Sequence, residues 1–171
     1  MGSTFVSLMP MVILFLLIPH SMGDTQALIN NICRQTDDFK FCRYVFSKHV
    51  NPNTNPIGLT RIALSVTLQY ASSTLTFLQR SQAAEKDKNV KNLFTICEEG
   101  YQELINEFKD ANSALARSDY SSAVFDVEKC DRFVNDCESV LGSTVAKLSV
   151  KNSHAGVLVK MAFVSSGLLG Q

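Results

Sequence analysis

The stretch Val90-Lys-Asn-Leu-Phe-Thr-Ile-Cys97-Glu-Glu-Gly-Tyr101-Gln-Glu-Leu-Ile105-Asn-Glu-Phe108 decides the fold class. Its apolar positions, Val90, Leu93, Phe94, Cys97, Tyr101, Leu104, Ile105 and Phe108, recur at three- and four-residue steps. That spacing collects them on one side of an α-helix and leaves the acids on the other. The same rule works outward in both directions. Upstream, across the polar turn Glu85-Lys-Asp-Lys-Asn89, Ile57 to Ala84 contains no proline. One face there carries Leu59, Ala63, Val66, Tyr70, Ser73 and Phe77, and a second stripe, Leu64, Leu68, Ala71, Leu75 and Leu78, widens it to bundle proportions. Downstream, Ser118 or Asp119 is a natural N-cap for a helix whose face is Ala123, Val127, Cys130, Val134, Cys137 and Leu141, ended by Gly142. Asn152-Ser153 then caps a closing helix through Val157, Leu158, Met161, Ala162 and Val164 to Leu168-Leu169. Four long amphipathic helices with short connections predict an all-α, up-down-up-down four-helix bundle.

Ahead of the bundle, Asn51-Pro-Asn-Thr-Asn-Pro56 is turn and linker chemistry. Between Asp24 and His49, Ala27, Leu28, Ile32, Phe39, Phe41 and Val45 predict two short helices broken near Thr36-Asp37-Asp38, an N-terminal α-helical hairpin. Met1 to Gly23 has no charged side chain, and Met11-Val-Ile-Leu-Phe-Leu-Leu-Ile18 is an apolar run closed by Pro19. With Ser21 and Gly23 before Asp24, residues 1–23 read as a signal peptide and residues 24–171 as one domain. The expected address is therefore extracellular. Gly156 to Val164 is too short, and interrupted by Lys160, to be a membrane anchor, so it is expected to be a buried closing helix.

Sixteen Lys and Arg balance sixteen Asp and Glu, without the basic excess that phosphate backbones demand, which argues against nucleic acid as a partner. Five cysteines, Cys33, Cys42, Cys97, Cys130 and Cys137, would form two bridges in an oxidising compartment. Cys33 and Cys42 flank the break in the hairpin, where a bridge would join its arms. Cys130 and Cys137 share one helical seam, and either could face Cys97. A zinc site is not expected, because there is no C-x2-C pair and His49 and His154 have no ligand spacing with the cysteines. Nucleophile-base pairs, phosphate-cradling loops and metal motifs are missing, and Glu98-Glu99 and Glu103-Glu107 read as a solvated helix face. The expectation is a binding protein with no catalytic residue and no cofactor.

Three motifs carry a family resemblance. Cys33-Arg-Gln-Thr-Asp-Asp-Phe-Lys-Phe-Cys42 has eight residues between cysteines, with Thr third and an aromatic sixth. Cys97-Glu-Glu-Gly-Tyr101 sets a Tyr four residues after a cysteine, and Ser118-Asp-Tyr-Ser-Ser-Ala123 opens a helix that reaches Cys137. In order and spacing these resemble the plant invertase and pectin methylesterase inhibitor family, secreted four-helix bundles with a disulfide-closed hairpin. The resemblance implies bridges Cys33–Cys42 and Cys97–Cys137, with Cys130 a free thiol. It departs from the family after the fourth cysteine, where Glu138-Ser-Val-Leu141 puts Leu at an aromatic place.

Members of that family block a target's substrate cleft in a stoichiometric complex. Invertase inhibitors often carry Pro-Lys-Phe where this chain has Tyr120-Ser121-Ser122, so the resemblance points to pectin methylesterase, with acid invertase (beta-fructofuranosidase) the alternative. The candidate docking surface is made of polar residues of the second, third and fourth helices, including Gln69, Ser72, Ser73, Thr76, Glu98, Gln102 and Ser121, and the resemblance implies an apoplastic, cell-wall or vacuolar address. From another class, the wide apolar faces would suit a secreted module holding a lipid or other small molecule. A storage or allergen-like member without a target is the remaining reading.

Overall fold

The computed structural model describes residues 22–169. The expected leader, residues 1–23, lies outside them apart from Met22 and Gly23, which open the first helix. A hairpin of α1 (Met22–Cys33) and α2 (Phe39–Ser47) precedes α3 (Pro56–Ala84) and α4 (Lys88–Ala116). Then come α5 (Tyr120–Glu128), α6 (Cys130–Cys137), a π-helical turn (Glu138–Gly142) and α7 (Ala146–Gly167).

Side-chain caps start the helices where the chain offers them. The Asn55 carboxamide oxygen accepts from the Gly58 N–H at 2.8 Å, with Pro56 in the first turn of α3. Asp38, Asp87 and Asp119 cap α2, α4 and α5 in the same way. At the end of α4 the Ser118 N–H donates to the Leu115 carbonyl at 3.1 Å and the Asp119 N–H to the Ala114 carbonyl at 2.9 Å, a Schellman closure. Its left-handed position is held by Ser118 at φ 60°, where glycine is the usual residue. Asp119 thus finishes one helix and caps the next, which turns the chain within a few residues.

Cross-helix pairs show neighbours running in opposite directions. Gln82 reaches Thr95 between α3 and α4, and Cys97–Cys137 and Glu107–Lys129 join α4 to α6 and its start. Thr60 and Thr67 meet Ser165 and Leu158 between α3 and α7. The interior is filled by Leu64, Leu78, Tyr101, Phe108, Leu158 and Met161, all fully buried. From Ala155 to Val164, α7 is buried or half-buried at every position but Lys160, because it closes the bundle against α3, α6 and the hairpin. Among the described residues no helix is long and apolar enough to cross a membrane.

The structure differs from the sequence expectation in three places. The buried seam of α3 is Leu59, Thr60, Ala63, Leu64, Thr67, Ala71, Thr74 and Leu78, so Leu59 and Ala63 of the first expected face are buried, while Val66, Tyr70 and Phe77 lie at its edge and Ser73 is exposed. The threonines enter the core because their hydroxyls donate to backbone carbonyls: Thr60 to Ser165 at 2.9 Å, Thr67 to Leu158 at 3.1 Å and Thr74 to Tyr70 at 3.0 Å. The expected fourth helix breaks at Lys129 and ends in the π-turn, yet all six of its seam residues are buried. Asn152 caps nothing. It lies inside α7, only 2% exposed, accepting from the Tyr101 hydroxyl at 2.8 Å and donating to Glu138 Oε2 at 2.7 Å.

Glu138 Oε1 also accepts from the Ser149 hydroxyl at 2.7 Å. A Cβ at Gly142 would collide with the Glu138 carboxyl held in this position, so glycine is needed there for space. Disulfides join Cys33 to Cys42 and Cys97 to Cys137, and Cys130 is a buried free thiol, its pKa pushed up to about 12 chiefly by burial.

Two stability changes follow. Ser118→Gly removes the strain of a side chain in the left-handed region and is expected to stabilise by about 1 kcal/mol, or about 2–4 °C in Tm for a domain of this size. Calorimetry checks this. Cys97→Ser opens a bridge between residues 40 apart in sequence and is expected to cost about 2–5 kcal/mol in denaturant unfolding.

Candidate functional site

On α3, Gln69, Ser72, Ser73 and Thr76 are exposed and follow a three- and four-residue spacing, so they form a single outward stripe. Their hydroxyls bond back to the helix: Ser72 donates to the Leu68 carbonyl at 2.8 Å, Ser73 to Tyr70 at 2.8 Å and Thr76 to Ser72 at 3.0 Å. The oxygens stay open as acceptors, which gives a smooth, short-chained surface with little side-chain entropy to lose. On α4, Glu98 and Gln102 lie one turn apart, and the Gln102 amide donates to Asn106 at 3.2 Å.

Glu98 is half-buried, and its Oε1 is buried without a hydrogen-bond partner. Loss of solvent raises the pKa of this carboxyl above its ordinary value.

Ser121 stands apart. It is on the first turn of α5, beyond the end of α4, and the rise from Gln102 to Ala116 alone is about 21 Å. The Glu98–Gln102 pair and Ser121 are therefore separate parts of any docking surface. Ser121 lines a cleft of about 610 Å³ with Asp110, Ser113, Arg117, Phe125 and Asp126.

Phe125 is 61% exposed, with the Lys129 ammonium 4.7 Å from its ring centroid. The same ammonium pairs with Glu107 at 2.6 Å and Asp126 at 3.6 Å. Burial raises the Asp126 carboxyl pKa, and Lys129 opposes that rise. Sequence reasoning did not single out this corner. Its one signal is that Phe125 lies off the Ala123, Val127, Cys130 seam, an aromatic out of register on an amphipathic helix.

His154 stacks on Phe41 at 4.2 Å and meets Tyr70 edge-on at 6.2 Å, so it joins the hairpin to the bundle. His49 is exposed at the end of the hairpin. Among the described residues no group of three His, Cys, Asp or Glu side chains is placed to hold a metal ion.

Glu98 generates a pH prediction. Its folded pKa is raised, so the cost of its charge is absent below the ordinary glutamate range and fully present above the folded pKa. Glu98→Gln is expected to raise Tm at pH 7 and to change it little near pH 3, as thermal scans at the two pH values would show.

Comparison with known proteins agrees with this all-helical arrangement. A pectin methylesterase inhibitor from Arabidopsis, solved as a mutant form, aligns with a TM-score of 0.74 at 21% identity, over 82% of this chain and 95% of that one. Another pectin methylesterase inhibitor structure, from Arabidopsis thaliana, aligns with a TM-score of 0.66 at 22% identity, over 88% and 99%. Those identities carry the fold alone. A search of the curated proteins gives no match. Residues 27–162, most of the chain, match the family described as plant invertase/pectin methylesterase inhibitor, whose members are enzyme inhibitors and not enzymes. By that match the chain belongs to the plant invertase/pectin methylesterase inhibitor family.

Proposed function

We propose that this chain is secreted after loss of residues 1–23 and inhibits pectin methylesterase, forming a stoichiometric complex that covers the esterase's substrate cleft. The observation that carries the choice of esterase over invertase is the start of α5. Asp119 caps the helix through the Ser122 N–H, and Tyr120-Ser121-Ser122 stands where an invertase inhibitor would carry Pro-Lys-Phe. The two solved relatives, both pectin methylesterase inhibitors, are consistent with it. The docking surface combines the α3 stripe with Glu98, Gln102 and the Ser121 corner.

Occlusion by a rigid body suits this construction. The two bridges and the packed interior keep the backbone in one shape before contact, which lowers the ordering cost of binding. The same packed interior speaks against a lipid carrier, since Leu64, Leu78, Phe108, Leu158 and Met161 fill the space between the helices.

Titration of the oxidised protein into pectin methylesterase and into acid invertase, from mildly acidic to neutral pH, is expected to abolish esterase activity near equimolar protein and to leave invertase active. An unaffected esterase would sink the proposal. Ser72→Arg and Ser121→Arg, both on exposed positions, are each expected to weaken inhibition about tenfold or more, the cost of a central clash.

A further inference from the structure

The outward side of α2 is used neither by the bundle nor by the docking surface. The helix buries Cys42, Val45 and Phe46. Helical geometry places Lys40, Arg43, Tyr44, Ser47 and Lys48 on the opposite arc, with Phe39 at its edge in the first turn, and all six are exposed. The arc thus holds three cations, two aromatic rings and no acid.

The nearest acids in sequence, Asp37 and Asp38, precede the helix. Asp38 accepts from the Phe41 N–H as the N-cap, and Asp37 lines a cleft with Asp131 and Glu138. Among the described residues the ion pairs are those of Lys129, so Lys40, Arg43 and Lys48 have no carboxylate partner. Arg43 lies 5.9 Å over the Phe39 ring and Lys48 5.2 Å over the Tyr44 ring, so each cation is held beside an aromatic face. The neutral chain is polarised as a result. Arg34 to His49 has four Lys or Arg against two Asp, while Asp119 to Glu138 has six acids against two bases.

We propose that this face of α2 binds an anionic polysaccharide of uronic acids, the de-esterified backbone of pectin. Its carboxylates match the cations, which recur along the helix every few ångströms, and its apolar sugar faces match the Phe39 and Tyr44 rings. A bilayer fits less well, because the arc has no aliphatic residue to enter hydrocarbon and the apolar side of α2 is turned inward. The choice of a polyuronate among polyanions rests on the esterase reading, since an esterase leaves these carboxylates where it has worked. The hairpin is braced for such a load by the Cys33–Cys42 bridge and by Phe41 stacked on His154. Held this way, the protein would sit on the esterase's product with α3, α4 and α5 free.

The test is direct binding without any esterase, so that inhibition and polymer binding succeed or fail separately. Calorimetry would compare polygalacturonate oligomers, the same oligomers fully methyl-esterified, and phosphatidylserine vesicles. Binding is expected to the first alone, and to weaken about tenfold between 50 and 200 mM salt as counterion release predicts. The combined Lys40→Gln, Arg43→Gln and Lys48→Gln variant should lose about tenfold or more in affinity, and Tyr44→Ala should also weaken it. Arg61→Gln with Arg80→Gln, a control of exposed cations on α3, should leave it unchanged, and unchanged circular dichroism would show all variants folded. Absence of binding, equal affinity for the esterified oligomer, preference for vesicles, or an equal loss in the α3 control would each overturn the proposal.

Discussion

Where Cys97 of α4 meets Cys137 at the end of α6, the bundle is held both covalently and through a polar junction behind the bond. Tyr101, one turn along α4, donates to Asn152 of α7, and Asn152 donates to Glu138, the residue next to Cys137. Each helix is thereby placed relative to the others by a bond that tolerates no shift of register. The π-turn at Glu138–Gly142 fits this constraint: Cys137 remains at the bridge while Glu138 reaches Ser149 and Asn152, over a glycine with no side chain to obstruct it. With α4, α6 and α7 so arranged, α3 packs along the exposed side of that framework through its threonine seam.

Inhibition requires little chemistry and much geometry. The candidate surface is made of small hydroxyl and amide side chains on two long helices, with an aromatic and charged corner at the start of α5. None of these groups needs activation, and the two carboxyls with raised pKa, Glu98 and Asp126, owe their shifts chiefly to burial. The rigid frame supplies the shape, and the helix starts decide which side chains stand at its corners. The basic arc of α2 lies on a separate element, tied to α1 by the Cys33–Cys42 bridge and packed on α7 through Phe41 and His154, so it is free to bind something other than the target enzyme.

The helical class, the hairpin and the existence of a closing helix were legible because apolar residues repeat at helical spacing, but the start of the closing helix was not, since α7 begins at Ala146 without a side-chain cap. Asp38, Asn55, Asp87 and Asp119 all cap as their types suggest. Polar residues that find tertiary partners were not legible. Thr60 and Thr67 lie on neither apolar stripe and Asn152 reads as a cap, yet each is buried because a carbonyl or carboxylate from another element satisfies it. The Phe125 corner was hidden for the complementary reason: an exposed aromatic has no periodic signature.

Local sequence by itself determined that this chain makes amphipathic helices, where most of them begin, and that five cysteines must be accommodated. Short-range spacing and capping carry that information, since both act within a few residues. Only the tertiary structure decided which face of α3 is buried, where the fourth helix breaks, and which side chains share a surface. Those outcomes depend on partners tens of residues away, whose hydrogen bonds and packing no local window contains. At Cys97 and Cys137 the two levels meet: spacing puts Cys137 and Cys130 on one seam, and the packing of α4 against α6 selects Cys137.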